Sequence, residues 1–172
     1  MGIDPGLNHL GFAIVESLND FTEIGVISPP EKDEMGARLL YLKNSIAKLL
    51  NNYNIKGICA EAPSYGSTTR AYSLGAVHGL IHLEAYVRNI PLIKAAPTQL
   101  KKFITGRGHS SKEKVRRVLA ERYTWEPSTI TSLDASDAAA LALIALHFFG
   151  ETRASKRCEL EVLKKLRESA KV

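Results

Sequence analysis

Cysteine is scarce in this chain: of 172 residues only Cys59 and Cys158 carry thiols. Two are too few for a disulfide scaffold or a thiolate zinc site, and they read most simply as reduced thiols of an intracellular, cytoplasmic protein. Long apolar runs are missing too. None approaches the ~18 residues of a membrane span, so no membrane partner is expected. The opening Met1-Gly2-Ile3-Asp4-Pro5-Gly6 lacks the basic and apolar regions of a signal peptide. There is one tryptophan, no internal repeat and no low-complexity tract. What is present, 45% hydrophobic and 24% charged residues, excludes wholesale disorder and a fibrous protein. The length suits one compact domain, with room for an appendage, and a core of that size needs no staple.

The net charge of +5 is unevenly spread. Between Lys94 and Arg122 nine basic residues stand against two acidic ones, a surplus of +7, while the rest of the chain sums to −2. Positive charge concentrated beside a near-neutral body suits a polyanion, nucleic acid first; a solvated helix face is the plain alternative.

The elements read in a mixed α/β order. Gly2-Ile3-Asp4 is the end of a strand, and Asp4-Pro5-Gly6 is turn chemistry. Strands follow at 11–15 and 21–27, closed by Pro29-Pro30. Leu39, Leu42, Ile46, Leu49 and Leu50 mark a helix over 37–50. Residues 56–61 form a buried strand ending in Glu61, and Pro63 to Thr68 a loop. A helix spans 70–88, with Gly75 and Gly79 on one face, and a fifth strand spans 90–95. Pro97 suits the first turn of a helix to Ile104. Ser110-Ser-Lys-Glu113 reads as a capping box opening a basic helix to Tyr123. An apolar helix covers 134–149. After Gly150 comes a separate basic amphipathic helix over 153–170, within an appendage at 151–172, with Leu160, Leu163 and Leu166 on one stripe. The first three strands can form a meander, and the last two join through right-handed crossovers.

Four acids stand out. Asp4 and Glu61 terminate strands, where ligand sites of α/β sheets collect. Asp134 and Asp137, three apart, share a face at the start of a helix that is otherwise apolar. Singly, each has a plain reading: a turn residue, a strand end leaving for water, an N-cap, a dipole partner. Together, clustered carboxylates repel and resist desolvation, and a divalent cation relieves both penalties. All-oxygen donors favour Mg²⁺ or Mn²⁺ over zinc.

These residues carry a resemblance. Gly2-Ile-Asp-Pro-Gly6 with Gly11-Phe-Ala-Ile-Val15, Ala60-Glu61, Leu74-Gly75 with Gly79, Lys101-Lys-Phe-Ile-Thr-Gly106-Arg-Gly108 with Lys112, and Asp134-Ala-Ser-Asp137-Ala-Ala-Ala-Leu141 resemble, in order over residues 1–149, the blocks of RuvC-type Holliday junction resolvases. The resemblance implies an RNase H-like α/β fold over residues 1–150, a five-stranded mixed sheet flanked by helices. It implies a homodimer that cuts four-way DNA junctions with Mg²⁺ or Mn²⁺. The implied metal ligands are Asp4, Glu61, Asp134 and Asp137, with Lys101 and Lys112 near phosphates. The chain departs from the family in three ways. Fewer apolar residues precede Gly2, the loop after Glu61 is shorter and carries Tyr65, and the chain continues past Gly150. These differences suggest a divergent member, a phage-encoded one acting in host cytoplasm among the options.

The expected chemistry is water attacking a phosphodiester in line, with two cations serving the attacking and leaving oxygens. Asp4 is the candidate to bridge them and Lys112 to neutralise the phosphate. Lys101, Lys102, Arg107, Lys112, Lys114, Arg116 and Arg117 would hold DNA by its phosphates, and Tyr65 would stack on an unpaired base. Forks and flaps are further candidate substrates. His78 and His82, at i and i+4, read as core or interface residues rather than metal ligands; His109 is a minor phosphate candidate and Trp125 a packing residue. The Gly75/Gly79 face suits either helix contact across a dimer axis or close packing within the monomer. Two other functions stay open: a non-catalytic branched-DNA-binding module, and a YqgF-like nuclease acting on RNA.

Overall fold

The computed structural model describes residues 1–18, 20–63, 68–122, 132–150 and 152–170. Five strands, β1 (Gly2–Asp4), β2 (Leu10–Ser17), β3 (Asp20–Ile27), β4 (Ile58–Glu61) and β5 (Leu92–Ala95), form one sheet in the order β3-β2-β1-β4-β5. The β1–β2 and β2–β3 pairs are antiparallel, and β1–β4 and β4–β5 are parallel. The expected meander and two later strands are therefore found, with β1 in the centre.

The side-chain period of two sorts each strand onto two cores. Ile3, Leu10, Phe12, Ile14, Ile58 and Ala60 face α1 (Met35–Asn52) and α2 (Thr68–Val87), where Leu42, Ile46, Val77 and Ile81 complete a buried cluster. Ala13, Cys59, Ile93 and Ala95 face the opposite layer, built from α3 (Pro97–Thr105), α4 (Lys112–Arg122), α5 (Leu133–Phe149) and α6 (Arg157–Ser169). Each fully buried Leu or Ile contributes roughly 1.5–3 kcal/mol to this arrangement.

Helix α5 is the element that makes the site possible. Its residues from Ala135 to Ala145 are all buried, because α5 lies between the sheet and the outer helices. Small residues let it press onto the strands. A Cβ on Gly2 would overlap the Ala138 carbonyl and the Ala142 amide, and one on Gly11 would overlap the Asp134 carbonyl. The glycines of β1 and β2 thus admit the α5 backbone against the strand that carries Asp4.

Two sequence expectations need correction here. The cap of α4 is Ser111, whose Oγ accepts from the Lys114 amide at 3.2 Å; the Ser110 hydroxyl is instead 2.8 Å from that of Thr105. In α6 the inner stripe is Glu159, Val162, Leu163 and Leu166, whereas Leu160 is 52% exposed. Glu159 turns inward because Arg122 pairs with it and the amides of Ser155 and Lys156 donate to it. No helix among the described residues is long and apolar enough to cross a membrane.

Candidate active site

Alternation along the strands aims both strand-end acids at α5. Gly2 and Asp4 share one face of β1, and Cys59 and Glu61 the same face of β4. The parallel register pairs Gly2 with Cys59 and Ile3 with Ala60, so one step further Asp4 stands beside Glu61. Neighbouring strands lie ~4.8 Å apart, which brings the two carboxylates within mutual influence. Above them, Ser132 caps α5 by accepting from the Ala135 amide at 3.1 Å. The cap excludes the reading of Asp134 as N-cap and places it in the first turn, with Asp137 one turn further along the same face.

Lys112 completes the group. It is the first residue of α4, and its Nζ lies 2.6 Å from Asp137 Oδ2. Asp137 is buried there, while about half of the lysine side chain stays in contact with solvent. The loop before α4 is tied by Thr105, whose hydroxyl donates to the Lys101 carbonyl and accepts from the Arg107 amide. Gly106, at φ 80°, takes the left-handed conformation that ends α3.

The electrostatics show that the acids sense one another. Burial, then the charges of Glu61, Asp137 and Asp134, push Asp4 up to about 8, against the pull of Lys112. Burial and Asp137 push Glu61 up to about 7, with Lys112 and Lys101 opposing. Burial also raises Asp137, although the Lys112 hydrogen bond and charge counter it. For Lys112, desolvation would lower the pKa, but Asp137, Asp4 and Glu61 outweigh it and hold the ammonium charged. Lys112 is therefore the positive charge of a site with too many negative ones.

This donor set fits a hard divalent cation: four carboxylates, no thiolate, and a reluctance of Asp4, Glu61 and Asp137 to ionise that a bound cation would remove. Among the described residues no three His, Cys, Asp or Glu side chains already stand together as a metal cage. Lys112 is paired with one of the acids, Asp137, instead.

The acids open onto a cleft of about 630 Å³ lined by Asp4, Glu61, Lys112, Asp134, the turn from Pro5 to His9, and Ser73, Leu74 and His78 of α2. The other sequence-selected residues divide around it. Lys101 acts on Glu61 and Asp137. Arg107, in the loop after α3, and Arg116 and Arg117, on α4, are exposed, and Lys114 is partly covered. Lys102 is turned to α6, where Glu161 holds its Nζ at 2.7 Å. Tyr65 and Trp125 lie outside the described residues. Sequence reasoning did not place His78 in the cleft; Leu74 and His78, four apart on a helix whose other end was already in the motif, were the available signal.

A five-stranded sheet of this order, with carboxylates converging from its central strands and from the helix laid across them, defines the RNase H-like class. Comparison narrows the class. A sequence model of the family "Crossover junction endodeoxyribonuclease RuvC" matches residues 1–145. The chain is 31% identical over 155 residues to the RuvC of Porphyromonas gingivalis, covering 87% of this chain and 80% of the relative. It is 33% identical over 146 residues to the RuvC of Ehrlichia canis, covering 83% and 92%. The fold matches Thermus thermophilus RuvC, solved in complex with a Holliday junction substrate, with a TM-score of 0.75, 24% identity and coverage of 86% of this chain and 91% of that one. The chain belongs to the RuvC family of crossover junction endodeoxyribonucleases, which are metal-dependent and typically homodimeric.

Proposed function

We propose that this chain hydrolyses phosphodiesters of four-way DNA junctions, and of other branched DNA such as forks and flaps, as a cytoplasmic homodimer. The observation that carries the reading is the convergence of Asp4, Glu61, Asp134 and Asp137 on one edge of the sheet beside Lys112. Bound Mg²⁺ or Mn²⁺, two per site, supplies Lewis acidity and an activated water for in-line attack. Asp4, in the central strand, would be the shared ligand; Glu61 would complete one position, and Asp134 and Asp137 the other. Lys112 holds its ammonium at the mouth of the acidic group, where an incoming phosphate needs a positive partner. Lys101, Arg107, Lys114, Arg116 and Arg117 extend that charge for sequence-independent grip on the backbone, so affinity falls steeply with salt. Lys102 contributes less, because Glu161 already neutralises it. Tyr65, in the loop after Glu61, is the candidate to stack on an unpaired base.

The outer face of α2 supports the dimer. A Cβ added at Gly75 or Gly79 would meet nothing within 4 Å among the described residues, which leaves this face open to a partner helix. Tyr72 and Tyr86, 72% and 82% exposed, continue the same stripe with Leu83. An apolar stripe of this kind on a soluble domain marks a contact surface, and the glycines let a second helix come close.

The test is cleavage of an end-labelled four-way junction with Mg²⁺. Wild type is expected to make paired nicks, and Asp4→Asn and Glu61→Gln to bind without cutting. Uncut junction with every divalent ion tried would leave a DNA-binding module. Cleavage of structured RNA in preference to the junction would move the activity to RNA.

A further inference from the structure

The α2 wall of the cleft holds a polar side chain that the reading above does not use. His78 is only 8% exposed, and it lines the cleft shared by Asp4, Glu61 and Lys112. Its Nε2 is withdrawn from solvent and has no hydrogen-bond partner among the described residues. Buried imidazole nitrogens are normally paired, and an orphan one is costly. Leu74, one turn earlier on the same wall, shows that an apolar side chain is accommodated there. Packing alone gives no reason for a histidine at this position.

The groups around it define its chemistry. Burial first, then His82 on the next turn of α2 and Lys94 on β5, hold the imidazole below its ordinary pKa. At neutral pH it is uncharged, with one N–H donor and one acceptor nitrogen. Lys112 already supplies positive charge in the cleft, and a neutral donor carried on a helix supplies position.

We propose that His78 contacts the substrate: a ring nitrogen of His78 hydrogen-bonds the backbone of the DNA strand seated in the cleft, making the pairing that the free protein lacks. The proposal rests on the reading of the cleft as a DNA-cleaving site. A non-bridging phosphate oxygen only accepts, so the ring presents its N–H to it, and a hydrogen bond to that charged acceptor is of the stronger kind. The contact requires the ring to turn about the Cβ–Cγ bond so that a nitrogen reaches the cleft. Such a contact fixes the register of the strand over the acids and reads no base.

The test compares His78→Leu with His78→Gln in the full chain. His78→Leu removes the orphan group, so its melting temperature is expected at or above that of wild type. Its kcat/KM on a four-way junction is expected to fall about ten- to a hundred-fold, with no change in the salt slope of binding. His78→Gln keeps an N–H donor and is expected to recover part of that loss. In ring-¹⁵N-labelled, metal-free protein the His78 signals are expected to shift when the junction is added. Wild-type cleavage by His78→Leu, or ring signals unmoved by saturating junction, overturns the proposal. So does a His78→Leu variant that melts well below wild type with no rescue by glutamine, which would make His78 a packing residue. If wild type binds the junction but never cuts it, the catalytic reading fails, while the ring signals still report separately on the contact.

Discussion

Replacing Asp4 by asparagine should stabilise the metal-free protein at alkaline pH and leave it unchanged in acid. The folded protein holds the Asp4 proton up to about 8, whereas in an unfolded chain that carboxyl ionises near 3.8. As pH rises past the lower value, the unfolded chain gains by ionising and the folded one does not. Stability is therefore lost across the window from ~4 to ~8 and is level above it. At ~1.4 kcal/mol per tenfold change in proton affinity, the loss from Asp4 is bounded at roughly 6 kcal/mol. Water entering the open cleft and small side-chain movements screen the charge, and about 2–3 kcal/mol is the expected net effect. For a chain of this size that is roughly 5–10 °C of melting temperature. The assay is thermal unfolding in EDTA at pH 5 and pH 8.5. Wild type should melt lower at pH 8.5, Asp4→Asn should show a smaller drop, the remainder coming from Glu61 and Asp137, and saturating Mg²⁺ should narrow the difference by stabilising wild type. A wild-type stability that is flat or rising over this range, with Asp4→Asn no more stable at pH 8.5, would refute the reasoning.

Two further outcomes follow from the same geometry. Lys112→Met takes from Asp137 its ion-pair partner among the described residues and removes a positive charge that acts on Asp4 and Glu61. Single-turnover cleavage should slow by about 10²- to 10³-fold, with junction affinity at moderate salt reduced far less. Tyr86→Glu combined with Leu83→Asp puts charge on the exposed stripe of α2; light scattering should report a monomer, and nicks should become unpaired while the fold, by circular dichroism, persists.

Much of this architecture is legible from residue order alone, because it depends on short-range pattern. The period-two alternation of Gly2-Ile3-Asp4 and Ile58 to Glu61 determines which face each acid takes, and the three-residue spacing of Asp134 and Asp137 determines theirs. The parts that are not legible depend on distant partners. Gly2 and Gly11 read as strand residues within a motif, yet their role against the α5 backbone exists only once the helix is laid across the strands. Leu160 reads as part of the inner stripe of the last helix; Arg122, 37 residues from Glu159, draws that acid inward instead. Ser110 and Ser111 are equivalent as caps until Thr105 claims the first. Lys102 is indistinguishable from Lys101 by composition, and only the packing of α6 against α3 separates a neutralised lysine from one that acts on the acids. His78 belongs with these: its four-residue spacing from Leu74 marks a shared helix face, but that this face lines the cleft emerges only in the fold.

The central claim is that carboxylates remote in sequence meet in a pocket that binds cations. A crystal soaked in Mn²⁺ and measured for anomalous scattering tests it most directly. The account predicts peaks bonded to Asp4, Glu61 and the Asp134–Asp137 pair, with Lys112 displaced from Asp137. Well-ordered acids with no anomalous density among them at saturating Mn²⁺, or ions bound elsewhere in the molecule, would contradict it.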